Sequence, residues 1–116
     1  MTAIVIFHNP RCSKSRETLA LLQEQGIEPQ IIEYLKTPPT AAQLKQTLVA
    51  LGMSAKDLLR SGEDEYKTLE LANFSGSEDA LIELMCAHPK LIERPIVING
   101  NKAKVGRPPE TVLQIL

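Results

Sequence analysis

The sequence predicts an α/β fold: a mixed four-stranded sheet flanked by helices, with an all-helical insertion between the second and third strands. Three observations lead to this prediction. An apolar run and an amphipathic stretch open the chain, a long segment of helical periodicity fills its middle, and two short strand-like runs joined by Asn-Gly lie near its end. Periodicity separates these segments because side chains repeat every two residues in a strand and about every 3.6 residues in a helix.

The first third of the chain is predicted to form a strand, a helix and a second strand. Residues 3–7, AIVIF, are apolar and partly β-branched, which is typical of a buried inner strand. The stretch ETLALLQEQG has leucines at helical spacing and ends at Gly26, a residue type that often terminates helices. EPQIIEYL, residues 28–35, predicts the second strand. A strand, helix and strand of this length favour a parallel βαβ unit.

The middle of the chain is predicted to be helical over about residues 40–88. Thr40 is a candidate N-cap for the first helix of this segment. Ser54 is a candidate cap for a short helix in SAKDLLRSG, and EDEYKTLELAN, residues 63–73, predicts another helix. Ser77 is a candidate cap for the helix in SGSEDALIELMCAH. We therefore expect an all-helical insertion between strands.

The last part of the chain returns to strands and closes with a helix. A β-branched run at residues 96–98 is followed by Asn99-Gly100 and a short alternating run to Val105. Asn-Gly between two such runs is a strong signal for a hairpin. PPETVLQIL predicts a final helix with Pro108 or Pro109 in its first turn, where the missing N–H costs nothing. The order β-α-β, helical insertion, β-β-α is a thioredoxin-like arrangement.

Composition and charge narrow the class of protein. The chain has 116 residues, of which 43% are hydrophobic, and this predicts a single domain over residues 1–116. A formal net charge of −1 argues against binding of nucleic acid by bulk electrostatics. No apolar stretch approaches the length of a membrane span, and the N-terminus lacks the basic region of a signal peptide. We expect a cytoplasmic protein that binds neither nucleic acid nor membrane.

The segment HNPRCSKSR places Cys12 between the first strand and the first helix. The thiolate is the nucleophilic form of cysteine, and the N–H groups and dipole at a helix N-terminus favour it. Lys14 and Arg16 add positive charge, and the hydroxyls of Ser13 and Ser15 can donate hydrogen bonds. These polar and cationic neighbours favour a reactive cysteine over a small buried hydrophobe. Because helix N–H groups also bind oxyanions, we predict a nucleophile and an anion site in one loop.

Ser15 occupies the position at which a C-x-x-C motif has its second cysteine. Since a C-x-x-C pair resolves its own mixed disulfide, we expect an external thiol such as glutathione to complete the chemistry of Cys12. Cys86 lies in an apolar helical pattern and is predicted to be structural. No disulfide between the two cysteines is expected in a reducing compartment. No Cys or His cluster has metal-ligand spacing, so we expect no metal site.

Three arginines lie at junctions between predicted elements: Arg60, Arg94 and Arg107. Each alone is most often a surface charge. Their shared placement raises a second interpretation, because guanidinium groups make bidentate contacts to tetrahedral oxyanions. His8, at the end of the first strand, could help to hold the cysteine loop. In a thioredoxin-like fold the segment before the third strand approaches that loop, and we predict a cis bond between Arg94 and Pro95.

With these residues in view, the chain resembles the ArsC family of arsenate reductases, which includes the Spx and YffB branches. The motifs HNPRCSKSR, EYLKTPPT, LLR, HPKLIERPIVI and GRPPE carry the resemblance, in order, over essentially the whole chain. Ser13-Lys14 after the cysteine, and the short stretch after the last predicted helix, make it more similar to the short YfgD-like members. These belong with the branch coupled to glutathione and glutaredoxin.

The resemblance implies an arsenate reductase in which Cys12 attacks arsenate and forms a covalent arsenic adduct. It implies that His8 and Ser15 help to keep Cys12 ionised. It assigns oxyanion binding to three residues: Arg60, Arg94 and Arg107. Glutathione would be a co-substrate, glutaredoxin would reduce the mixed intermediate, and no cofactor would be bound. The alternatives are a glutathione-dependent thiol reductase of the YffB kind and an Spx-like regulator that binds RNA polymerase.

Overall fold

A computed structural model of the protein describes residues 4–116. These residues form two compact units. The first consists of the described residues up to Thr37 together with Arg94–Leu116, and the second is Pro38–Glu93. The predicted helical insertion at about residues 40–88 falls within the second unit. No helix in the described part of the chain is long and apolar enough to cross a membrane.

The first unit is built on a mixed four-stranded sheet. Its strands are β1 (Ile4–Phe7), β2 (Gln30–Ile32), β3 (Ile96–Asn99) and β4 (Lys102–Val105). They lie in the order β2-β1-β3-β4, with β1 parallel to β2, β1 antiparallel to β3, and β3 antiparallel to β4. β1 is thus an inner strand, as its apolar sequence predicts. Residue 3 of the predicted first strand lies outside the described residues.

Two helices cover one face of this sheet. They are α1 (Ser13–Glu24) and a C-terminal 3₁₀ helix (Pro109–Ile115). Both contribute to a core in which Ile6 and Val97, a cross-strand pair of β1 and β3, face the helices. Three helical side chains complete this core: Leu22, Val112 and Ile115. The predicted α/β class, a mixed four-stranded sheet with flanking helices, is confirmed. The last helix differs from a regular α-helix, because it is a 3₁₀ helix that begins at Pro109.

The second strand is shorter than the predicted 28–35. The N–H groups of Lys36 and Thr37 both donate to the carbonyl of Glu33, each at 2.9 Å, so the chain turns directly after β2. Tyr34 is therefore buried in a turn and does not extend the strand. The prediction failed because an apolar residue type does not show whether its backbone pairs with a neighbouring strand.

The predicted hairpin is present, but its turn is shifted by one residue. Asn99 pairs with Lys102 at the end of the β3–β4 ladder, so the two turn residues are Gly100 and Asn101. Gly100 has a φ of 65°, and Asn101 is not among the described residues with positive φ. A positive φ at only the first turn position is typical of a type II′ turn, which requires glycine there.

The second unit is helical. The predicted caps at Thr40 and Ser77 are confirmed, whereas the N-cap of the turn after Ser54 is Ala55. Its helices are α2 (Ala41–Leu51), α3 (Asp64–Thr68) and α4 (Glu78–Ala87). Short 3₁₀ turns accompany them: Lys56–Leu58, Leu71–Asn73 and Pro89–Leu91. Thr40 forms a reciprocal capping box with Gln43 before α2, and Ser77 Oγ accepts the Ala80 N–H at 3.1 Å before α4. Helix starts are predictable because these hydrogen bonds join residues only three apart.

The predicted helices over SAKDLLRSG and residues 63–73 are each shorter than expected. In the first, Ser54 and Asp57 exchange side-chain hydrogen bonds with each other's N–H, but only a 3₁₀ turn follows. In the second, α3 ends at Thr68, and Glu70 has a φ of 54°. A left-handed residue interrupts an α-helix, so the pattern is split into α3 and a 3₁₀ turn.

Candidate active site

Cys12 is the N-cap residue of α1, with an extended backbone of φ −95° and ψ 125°. Its carbonyl accepts the Arg16 N–H at 3.0 Å, which starts the hydrogen bonding of the helix. The N–H groups of the first turn have no intrahelical acceptor, and they place partial positive charge beside the cysteine. The residue is 8% exposed. The local sequence therefore places this sulfur at the N-terminus of a helix, as predicted.

A cation lies against the sulfur. Arg107 Nη2 is 3.7 Å from Cys12 Sγ, and Arg107 Nε donates a 2.8 Å hydrogen bond to the carbonyl of Arg94. The second bond fixes one edge of the planar guanidinium and directs its far nitrogen toward the cysteine. A guanidinium beside a cysteine stabilises the thiolate and attracts oxyanions. The sulfur is thus mostly buried, but its neighbour is a charge rather than an aliphatic side chain.

The segment before β3 is joined to the segment after β4. The Arg94–Pro95 peptide bond is cis, as predicted, and the Arg107–Pro108 bond is also cis. The Gly106 N–H donates to the carbonyl of Pro95 at 2.9 Å. This hydrogen bond and the bond from Arg107 Nε to the Arg94 carbonyl hold the two segments next to each other at the open end of the hairpin.

Gly106 has no room for a side chain. A Cβ there would lie 2.5 Å from Thr18 Oγ1 and 2.9 Å from Pro95 Cγ. The backbone of residue 106 therefore packs directly on α1 and on the proline ring. This close approach places the next residue, Arg107, beside the cysteine at the start of the same helix.

His8 and Ser15 form a buried pair beneath the cysteine loop. Ser15 Oγ lies 2.6 Å from His8 Nδ1 and accepts the Asn9 N–H at 3.0 Å. Burial lowers the pKa of His8, Glu33 partly opposes this, and Arg16 lowers the pKa further. Because the ring is then neutral near pH 7, the serine hydroxyl is placed to donate to Nδ1. The pair ties the end of β1 to the first turn of α1, and its effect on Cys12 ionisation stays a prediction.

Asn9 is a part of the loop that sequence reasoning missed. Its side-chain Oδ1 accepts the Arg11 N–H at 3.0 Å, and its carbonyl accepts the Cys12 N–H at 3.0 Å. Arg16 Nη1 adds a bond of 2.9 Å to the carbonyl of Pro10. The available signal was the Asn-Pro dipeptide, because an asparagine side chain often bonds the backbone two residues on. The loop thus reaches Cys12 through a defined turn.

Arg60, the third predicted oxyanion ligand, lies in the second unit. There its Nη1 is 2.5 Å from Glu63 Oε1, and its Nε is 3.7 Å from Glu93 Oε1. The three side chains are between 23% and 31% exposed. Two carboxylates thus pair with this guanidinium within the unit. The predicted contact of Arg60 with an oxyanion stays a prediction. In the first unit, Arg107 contacts Cys12 through its side chain, and Arg94 contacts Arg107 through its backbone carbonyl, so oxyanion binding by the Arg94 side chain also stays a prediction.

Comparison with known proteins shows the family of this chain. A family model described as the ArsC family matches residues 7–115. The chain belongs to the ArsC family. It is 58% identical over 114 residues to the protein YfgD of Escherichia coli (strain K12), covering 97% of this chain and 96% of that protein. It is 49% identical to a Haemophilus influenzae protein named arsenate reductase, over 98% of this chain and 99% of that protein.

A solved ArsC-type structure gives the same picture. The structure described as an arsenate reductase from Vibrio cholerae matches with a TM-score of 0.95 and 52% identity, over 99% of this chain and 98% of that one. The predicted thioredoxin-like fold and family are therefore confirmed. Chemically, the site combines a cysteine sulfur, the N–H groups at the start of a helix and a guanidinium.

Proposed function

We propose that this protein is an arsenate reductase that works through a covalent Cys12–arsenic intermediate, with glutathione and glutaredoxin as reductants. The observation that carries the proposal is the 3.7 Å contact between Arg107 Nη2 and the sulfur of Cys12 at a helix N-terminus. The relatives named arsenate reductase, which are similar along the whole chain, confirm the predicted class of oxidoreductase. The reductants are proposed because Ser15 replaces a resolving cysteine.

Electrostatics explains why a cysteine of this kind needs a cation. An arsenate anion must approach a thiolate of the same sign, and two like charges about 4 Å apart repel by ~4 kcal/mol at an effective dielectric constant of 20. Arg107 and the free N–H groups of the first turn of α1 supply opposite charge at the same place. The Arg94 carbonyl keeps the guanidinium in position. The arrangement thus offsets the repulsion before the S–As bond forms.

The proposed first step joins sulfur to arsenic. The Cys12 thiolate attacks arsenate, an S–As(V) bond forms, and one As–O bond breaks. The departing oxygen takes up a proton and leaves as water. The glutathione thiol then adds to the same arsenic, and a second oxygen leaves as water with the thiol proton. Arsenic is still As(V) at this stage and carries two sulfur ligands.

Reduction follows when a glutaredoxin thiol attacks the glutathione sulfur. A disulfide forms between glutaredoxin and glutathione, and the electron pair of the broken S–As bond stays on arsenic, which becomes As(III). The glutaredoxin proton moves to an arsenic-bound oxygen. Water then cleaves the remaining S–As bond, arsenite leaves, and the Cys12 thiolate is restored. The predicted cytoplasmic location suits this sequence, because glutathione keeps thiols reduced there.

The test is arsenite formation by purified protein supplied with arsenate, glutathione and glutaredoxin. We expect turnover in the parent protein, none in Cys12→Ser, and unchanged turnover in Cys86→Ser, which removes the other cysteine. Arsenite production by Cys12→Ser at the parental rate contradicts the proposal. Cleavage of glutathione mixed disulfides without arsenite formation supports a thiol reductase of the YffB kind, and capture of RNA polymerase supports an Spx-like regulator.

A further inference from the structure

We propose that Asn9 is a positioning residue for the nucleophile, because its side chain fixes the turn that holds the Cys12 sulfur against the Arg107 guanidinium. This inference rests on the proposed function, since it takes Cys12 as the nucleophile. Asn9 lies three residues before Cys12, in the loop between β1 and α1, and is half-buried. Its side chain acts through the backbone of the loop and not through contact with the reacting atoms.

The Asn9 side chain closes the turn through its amide oxygen. Oδ1 accepts the Arg11 N–H at 3.0 Å, two residues farther along the chain. A backbone N–H can only donate, so the oxygen and not the nitrogen of the amide must face Arg11. An asparagine that bonds the backbone two residues on forms an Asx turn, and Pro10, between the two residues, has a fixed φ. The side chain and the proline therefore restrict the same turn.

The backbone of Asn9 ties this turn to the cysteine and to the helix that follows it. The Asn9 carbonyl accepts the Cys12 N–H at 3.0 Å, and the Asn9 N–H donates to Ser15 Oγ at 3.0 Å in the first turn of α1. Ser15 is fully buried, so packing holds this attachment point in place. A change in the path of the loop at Cys12 therefore breaks at least one of these bonds.

The placement of the sulfur matters because its cation comes from a different segment of the chain. Arg107 Nη2 is 3.7 Å from Cys12 Sγ, and the bond from Arg107 Nε to the Arg94 carbonyl, at 2.8 Å, anchors the guanidinium. The arginine is therefore held independently of the cysteine loop. Coulomb attraction falls with distance and with the entry of water, so a sulfur that moves away loses much of it. Asn9 thus constrains the sulfur side of a contact whose arginine side is already constrained.

The test is the rate of alkylation by iodoacetamide as a function of pH, with every variant in a Cys86→Ser background. Asn9→Ala removes the acceptor, Asn9→Gln moves the amide one methylene farther from the backbone, and Asn9→Ser supplies a weaker acceptor. We expect alkylation about three- to tenfold slower in Asn9→Ala and Asn9→Gln, since one hydrogen bond changes a local equilibrium by about this factor. Asn9→Ser should react at an intermediate rate. Asn101→Ala, at the exposed turn of the β3–β4 hairpin, is the matched control and should react at the parental rate.

A double-variant cycle with Arg107→Ala separates positioning from a role in stability. If Asn9 acts by holding the sulfur against Arg107, Asn9→Ala should slow alkylation by less than about 1.5-fold once Arg107→Ala has removed the cation. Equal slowing with and without Arg107 overturns the positioning role, because Asn9 would then act independently of the arginine. Parental alkylation profiles in folded Asn9→Ala and Asn9→Gln, with lowered denaturant midpoints, also overturn it and assign Asn9 to stability alone.

Alkylation needs no arsenate, so the role of Asn9 can be tested even if the protein forms no arsenite. If the parent forms no arsenite but the effects of Asn9→Ala and Arg107→Ala are coupled, the proposed function fails and the positioning role stands. If the parent forms arsenite and Asn9→Ala matches it in both arsenite formation and alkylation, the proposed function stands and the positioning role fails. Asn9→Ser provides a milder variant for the cycle if Asn9→Ala folds poorly.

Discussion

Replacing Arg107 with alanine removes the cation that contacts the cysteine sulfur, and the structure gives the size of the effect. At the 3.7 Å that separates Nη2 from Cys12 Sγ, unit charges attract by ~1 kcal/mol in water and by ~4 kcal/mol at an effective dielectric constant of 20. Cys12 is buried, but Arg107 is exposed, so solvent screens part of this attraction. We take ~2 kcal/mol for the attraction that an anionic sulfur loses, which corresponds to a factor of about 30 in a rate that depends on this anion.

The assay is the rate of alkylation by iodoacetamide as a function of pH, in a Cys86→Ser background so that only Cys12 reacts. We expect Arg107→Ala to react about 30-fold more slowly than the parent on the acid side of the profile. Arg107→Lys keeps a charge but loses the Nε bond to the Arg94 carbonyl, so an intermediate rate is expected. Lys102→Ala removes the same charge from an exposed position on β4 and serves as the matched control.

The result that refutes this reasoning is a parental alkylation profile in Arg107→Ala whose circular dichroism and denaturant midpoint are also parental. The contact would then be a consequence of packing with no effect on the sulfur. A loss of rate in Lys102→Ala of the same size would show that net charge, and not position, sets the reactivity. Only a loss confined to Arg107 variants supports the site as described.

Three other predictions address the scaffold. Gly106→Ala must move Thr18 or Pro95, so it should lower the free energy of unfolding in urea by ~1–3 kcal/mol. It should also lower the rate of arsenite formation. Parental values for both quantities contradict the tight packing. The pKa of His8 is lowered in the folded protein, so as the pH falls the unfolded chain takes up this proton before the folded chain does. The free energy of unfolding should therefore decrease by up to ~1.4 kcal/mol per pH unit as the pH drops below the ordinary value of 6.5. His8→Gln should flatten that part of the pH profile of unfolding, and an unchanged slope argues against a buried neutral ring. Ser77→Ala removes the α4 cap and should lower the free energy of unfolding by ~1 kcal/mol, while turnover per folded molecule stays parental. An unchanged denaturant midpoint contradicts the role of Ser77 as a cap.

The parts of the fold that depend on local interactions could be predicted from the sequence. The caps at Thr40 and Ser77 are bonds between residues three apart, and the βαβ order follows from periodicity. The length of β2 could not be predicted, because the carbonyl of Glu33 redirects the chain after three strand residues. The end of α3 depends on a left-handed backbone at Glu70, and no sequence signal marks that residue. Local sequence thus predicts the first residue of an element better than its last residue.

The residues of the candidate site also divide into those that local sequence predicts and those whose contacts depend on the fold. Cys12 at a helix start follows from the order of apolar and polar residues around it. Arg107 is 95 residues away in the chain, so its contact with the sulfur could only be inferred from resemblance to a family. The turn at Asn9 has a sequence signal in Asn-Pro that the prediction overlooked. The ion pairs of Arg60 with Glu63 and Glu93 do not show whether its side chain also binds an oxyanion, so that role stays a prediction.

The β3–β4 hairpin offers a practical position for a reporter group. Four residue pairs, from Ile96↔Val105 to Asn99↔Lys102, separate its turn from the end that carries the two arginines, a distance of about 10 Å at ~3.4 Å per residue. A fluorophore attached at Asn101 would therefore lie at the turn of the hairpin, at the end opposite to the one that leads to Arg107. Single-turnover spectroscopy could then follow movement of this arm as the arsenic adduct forms and decays.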